Sequence, residues 1–140
     1  MKKLPVRTEN AITNLYTAFH NDELDSYNCS HCAVGSMCDN DNDWAEIRDH
    51  AFAAMNLNVS VKAIKTIEKT GYTPFEIYEI EKIFITEVPF ELRQNKEAQF
   101  KGLCAVIEYL CELDGVDNVM EIQSLFEYKE GVKELNEVIQ

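Results

Sequence analysis

Basic residues are scarce in this chain: 13 Lys and Arg stand against 25 Asp and Glu, a formal charge of −12 over 140 residues. Without a cationic face, direct binding to nucleic acid or to an anionic membrane is excluded, and a basic protein becomes the natural partner. Long apolar runs are missing too. No stretch of about 18 apolar residues occurs, which excludes a membrane-spanning helix. The basic N-terminus runs into Thr8, Glu9 and Asn10 instead of an apolar segment, unlike a secretory signal, so a cytoplasmic location is expected. No segment rich in Gly, Pro or Ser divides the chain, which therefore reads as one domain over residues 1–140.

Recognisable catalytic motifs are absent as well. There is no Gly-rich phosphate loop, no Gly-x-Ser-x-Gly elbow and no His-Glu-x-x-His, and only three histidines occur. No convergent set of acid, base and nucleophile emerges, so a non-enzymatic protein is expected.

What the sequence does contain is helical periodicity. Ile12, Leu15, Tyr16 and Phe19 recur at helical spacing and predict a helix over about 9–20, with Thr8 as its cap. Further helices are expected over 44–55, 61–69 and 73–87. The last is the best marked, because Thr73-Pro74-Phe75-Glu76 supplies a capping hydroxyl, a proline at the first helical position and a glutamate to return the bond. Pro89 breaks that helix. A long helix over 95–113 carries the stripe Phe100, Leu103, Cys104, Ile107, Leu110 and Cys111, and Asp114-Gly115 ends it. Asn118 marks a last helical region through Phe126, which Val132, Leu135 and Ile139 extend. The expectation is a compact all-α domain of five or six helices. Its acids, among them Asp22, Glu23, Asp25, Glu76, Glu79, Glu81, Glu112 and Asp114, read as solvated faces.

Residues 21–43 interrupt the pattern. This polar loop, with one short apolar piece over Ala33 to Met37, holds three of the five cysteines in Cys29-Ser-His-Cys32-Ala-Val-Gly-Ser-Met-Cys38. Cys29, Cys32 and Cys38 could bind zinc as thiolates, with His50 or His20 completing a tetrahedron. They equally fit partly buried thiols without metal, while Cys104 and Cys111 belong to an apolar stripe. A thiol-redox role would use His31 to favour the Cys29 thiolate, but no strand precedes the motif as that chemistry's usual fold requires. Asp39-Asn-Asp-Asn-Asp43 opens like a calcium loop and then fails it, since Trp44 stands where glycine is needed and His50 where glutamate is needed. Asp43 is the expected cap of the Trp44 helix, and Trp44 a packing anchor. Gly35 suggests close backbone approach beside Cys32, and Gly102 close helix packing.

The run Ala11-Ile-Thr-Asn-Leu-Tyr-Thr-Ala-Phe-His-Asn21, the cysteine segment through Asn40, Gly71-Tyr-Thr-Pro-Phe-Glu-Ile, Ile80-Glu-Lys-Ile-Phe84, Phe100-Lys-Gly-Leu-Cys-Ala-Val and Leu113-Asp-Gly-Val resemble a group of small flavobacterial and phage-associated helical proteins. These often carry the label of the flavin-bearing component of Na(+)-translocating NADH-quinone reductase. The resemblance spans about 11–126 and implies a small, compact, cytosolic protein. The label's flavin, NADH and two-iron modules need more chain and more strand, and a plant-type ferredoxin run closes with the x2 interval that here comes first. No catalytic residue is carried over.

These residues point to a helical binding module that acts through macromolecular interaction, with its Cys loop braced by zinc. The alternatives are an acidic, phage-type inhibitor occupying a basic nucleic-acid-binding surface of a host protein, and a thiol-redox protein.

Overall fold

The computed structural model describes residues 4–45 and 60–127, and among them every regular element is a helix. In chain order these are α1 (Val6–His20), α2 (Ala33–Met37), α3 (Val61–Glu68), α4 (Pro74–Glu87), α5 (Lys96–Asp114) and α6 (Val119–Gln123), with 3-10 turns at Phe90–Leu92 and Ser124–Phe126. The expected helix over 44–55 lies, beyond Ala45, outside the described residues, as does the extension past Glu127. No helix among the described residues is long and apolar enough to cross a membrane.

Local sequence sets most helix ends. Thr73 Oγ1 accepts from Glu76 N at 3.2 Å while Glu76 Oε1 accepts from Thr73 N at 2.9 Å, the reciprocal box that the residue order predicts. Ser60 and Asn95 cap α3 and α5 by accepting from the backbone N–H three residues on. Gly115, at φ +66°, closes α5 in the left-handed conformation that glycine adopts without steric cost.

The start of α1 differs from expectation. The helix begins at Val6, directly after Pro5, so Thr8 lies inside the first turn instead of before it. Its hydroxyl is buried and donates to the Asp114 carboxylate. Proline's fixed φ starts the helix earlier than the hydroxyl signal suggested.

The core forms where α4 and α5 pack face to face and α1 and α2 close over them. Ile77, Ile80 and Phe84 of α4 meet Leu103, Val106, Ile107 and Leu110 of α5, and Ile12, Leu15 and Phe19 of α1 join from the side, all inaccessible to solvent. Gly102 permits the close α4–α5 approach: a Cβ there would sit 2.9 Å from Phe84 Cδ1 and Val88 Cγ2. The stripe expected on α5 is rotated slightly, with Phe100 and Cys104 half-buried at its margin and Val106 at its centre.

Candidate functional site

The cysteine loop is drawn into the protein as a packed knot, and its hub is the Cys29 carbonyl. Trp44, fully buried, donates its indole Nε1–H to that oxygen at 2.7 Å. Gly35 packs directly against the same carbonyl, so closely that an added Cβ would lie 2.1 Å from it. Asn40, in the left-handed region at φ +62°, returns its N–H to Gly35 O at 2.8 Å and its side-chain amide to Ser30 O at 2.9 Å. Asparagine and aspartate tolerate that conformation best among residues with a Cβ, which suits Asp39 and Asn40 to this turn.

The three clustered thiols take separate positions in this knot. Cys32 caps α2 by accepting from Gly35 N at 3.3 Å and is buried beside Glu81. Burial first, then the Glu81 charge and a hydrogen bond with its side chain, push the Cys32 thiol well above its ordinary value. Cys38, at the end of α2, is also buried, and its thiol is pushed up to about 12, mainly by burial and then by Asp41 and Asp39. Cys29 is half-buried. Zinc and redox chemistry both use thiolates, the form that burial disfavours at Cys32 and Cys38.

Among the described residues no group of three or more His, Cys, Asp or Glu is arranged to hold a metal ion. Of the candidate ligands, His50 lies outside the described residues, so the full set of Cys29, Cys32, Cys38 and His50 is not placed. His20, the other candidate, donates from Nε2 to Leu125 O at 2.7 Å, and its ring is nearly parallel to that of Phe126. It ties α1 to the Ser124–Phe126 turn instead of capping its own helix. Asp43 likewise donates its N–H to Asp41 Oδ1 at 2.8 Å.

Two acids that read as solvated from sequence are structural. Glu81 is 3% exposed, inside the α2–α4 contact. Asp114 receives Nε and Nη2 of Arg7 and the hydroxyl of Thr8. Arg7 also reaches Gly71 O and Glu76, and its guanidinium lies 4.4 Å above the Tyr72 ring. This clamp joins α1, the α3–α4 turn and the end of α5. Its hydrogen bonds to Arg7 hold the Asp114 carboxyl below the usual carboxylate range.

The most distinctive exposed feature is one that the sequence did not flag. Tyr27 and Phe90, 49% and 51% exposed, meet edge to face with centroids 5.3 Å apart, and Arg93 stacks on Phe90 at 4.0 Å. Leu92 extends the same turn and is 40% exposed. A buried side chain fixes the platform beneath them: Gln99 of α5 donates from Nε2 to Leu24 O at 3.0 Å and to Arg93 O at 2.9 Å. One amide thus binds the loop that carries Tyr27 to the turn that carries Phe90. An open cleft of about 300 Å³ separates the same segments, lined by Asp22, Leu24, Gln94, Lys96 and Gln99. Lys96 is occupied there by Asp22 at 2.7 Å and by the Phe19 carbonyl and ring.

Comparison with protein-family models, curated proteins and solved structures finds no match to this chain.

Proposed function

We propose that this protein is a small, non-enzymatic helical module that binds another protein through the face formed by Tyr27, Phe90 and Leu92. The rigid exposed aromatic pair is the observation that carries this reading. Isolated exposed apolar residues are ordinary on any surface, but two half-exposed rings in mutual contact, joined by an arginine and fixed by a buried amide, form a prepared patch. Tyrosine, phenylalanine and arginine are also the residue types that interfaces concentrate.

The energetics favour such a use. Each half-exposed ring leaves on the order of 100 Å² to be covered, worth roughly 2 kcal/mol per ring at 25 cal/mol per Å². That is the scale of a binding hot spot. Because Gln99 already holds both segments in place, little ordering entropy opposes association. The cysteine loop supports the same face indirectly, since Asp25 N donates to His31 O and so anchors the chain just before Tyr27. In this reading its role is rigidity, through Trp44, Gly35 and Asn40; a zinc ion on Cys29, Cys32, Cys38 and His50 would be a further brace with the same purpose.

The test is differential capture. The protein and its Tyr27→Ala/Phe90→Ala variant are immobilised in parallel, and retained proteins are identified by mass spectrometry and re-examined as purified components. A partner that binds the first and not the second supports the proposal; identical retention by both would overturn it.

A further inference from the structure

The acids around the aromatic pair specify the chemistry of what docks there. Glu23, Glu87 and Glu91 are exposed, and Asp25 is half-exposed. They occupy the two segments that present Tyr27 and Phe90, and no ion pair among the described residues involves any of the four. The two cations nearby are already engaged: Arg93 lies on the Phe90 ring and Lys96 is paired with Asp22. An apolar centre is therefore rimmed by uncompensated negative charge. The Arg93 contact also shows that a Phe90 ring face accepts a guanidinium.

Resting on the protein-binding reading above, we propose that the occupant is a basic segment of a partner protein, in which an aromatic or aliphatic side chain is flanked by lysine or arginine. The apolar side chain covers Tyr27, Phe90 and Leu92, while its cationic neighbours meet the rim carboxylates. An acidic segment would bring like charges together and leave the rim uncompensated. A second copy of this chain fits poorly, because two surfaces of a molecule with a formal charge of −12 would have to meet through matching acidic rims.

A phage-displayed random peptide library, selected on the whole protein, tests this directly. Selected peptides are synthesised with a fluorescent label and titrated by anisotropy against the protein, Tyr27→Ala/Phe90→Ala and Glu23→Lys/Glu91→Lys. The expected peptides pair an apolar anchor with lysine or arginine. Their affinity falls at least about tenfold on the aromatic variant and about three- to tenfold on the rim variant, and weakens between roughly 50 and 300 mM salt. Thermal melting of both variants close to the parent establishes that folding is intact; should the aromatic variant melt early, Phe90→Leu replaces it.

Peptides that need Tyr27 and Phe90 but lack basic residues and ignore salt would overturn the proposed chemistry while leaving the binding face standing. Peptides indifferent to Tyr27 and Phe90 would overturn both. A concentration-dependent dimer that Phe90→Ala abolishes would overturn the basic segment in favour of a second copy.

Discussion

Replacing Gly35 with alanine sets two physical effects against each other. Gly35 lies within α2, where alanine is intrinsically better by up to about 1 kcal/mol, so helix propensity alone makes Gly35→Ala stabilising. The surroundings oppose this. The new Cβ would stand 2.1 Å from the Cys29 carbonyl oxygen and 2.6 Å from the Ser30 carbonyl carbon, backbone atoms that no side-chain rotation can move aside. The loop must shift, and the Trp44 Nε1 bond to that oxygen, the Cys32 cap and the Asn40 closure shift with it. Overpacking costs roughly 1–3 kcal/mol, and weakening one buried hydrogen bond adds roughly 0.5–1.5. The expected net loss after the propensity gain is about 1–3 kcal/mol, or about 1 M in the urea midpoint for an m-value near 2 kcal/mol/M. Urea unfolding followed by far-UV circular dichroism measures the loss, and the emission of Trp44, the only tryptophan, reports locally on the loop. Native Gly35→Ala should show red-shifted emission. An unchanged or raised midpoint with unchanged emission would refute the close packing of Gly35 against Cys29.

Gly102→Ala should cost less than Gly35→Ala, because its 2.9 Å contacts are with the Phe84 and Val88 side chains, and helix propensity offsets up to about 1 kcal/mol; a larger loss in the same urea series would contradict the ranking. Burial of Cys32 and Cys38 should keep both from iodoacetamide at pH 8 until urea unfolds the chain; peptide mapping that finds either labelled early in the native protein would disprove their placement. Asp114, with its carboxyl held below 3.8 in the folded state by Arg7, contributes stability that is present above about pH 4 and lost as pH falls through its depressed folded value. Asp114→Asn should therefore be less stable at pH 7 but lose less than the parent between about pH 4 and pH 2; parallel pH profiles would remove the Arg7 clamp from the account. The contacts of Trp44, Gly35 and Asn40 close the cysteine loop, so EDTA should leave the unfolding midpoint unchanged; a lower midpoint with release of about one zinc per chain would make the metal brace essential.

Local chemistry made part of this structure readable in advance. Thr73, Pro74 and Glu76 name a helix start without reference to any other segment, and the break at Pro89 and the ending at Gly115 are equally local. Gly35 and Gly102 signalled close approach because a glycine inside a helix needs a reason. Glu81 was misread with Glu76 and Glu79 as part of a solvated face. Its spacing carried a warning, since it stands four residues after Ile77 and three before Phe84, on the face that enters the core. Gln99 gave a similar signal, one turn ahead of Leu103 on the buried stripe of α5. The contact of Tyr27 with Phe90 had no such precursor: 63 positions separate them in the sequence, and the Gln99 bonds that align them exist only once the helices pack. Asp114 looked like a helix-ending acid and became a clamp because α1 carries Arg7 to it from the far end of the chain.

The central claim is that the Tyr27–Phe90 face is where this protein meets its partner. Its most direct test places a photo-crosslinking amino acid at position 27 of the whole protein in cells of its source, with the exposed position 62 on α3 as the control. The expected result is a discrete higher-mass adduct from position 27, absent from position 62 and lost when Phe90→Ala is added. Equal crosslinking from both positions, or an adduct at 27 that persists with Phe90→Ala, would contradict the claim.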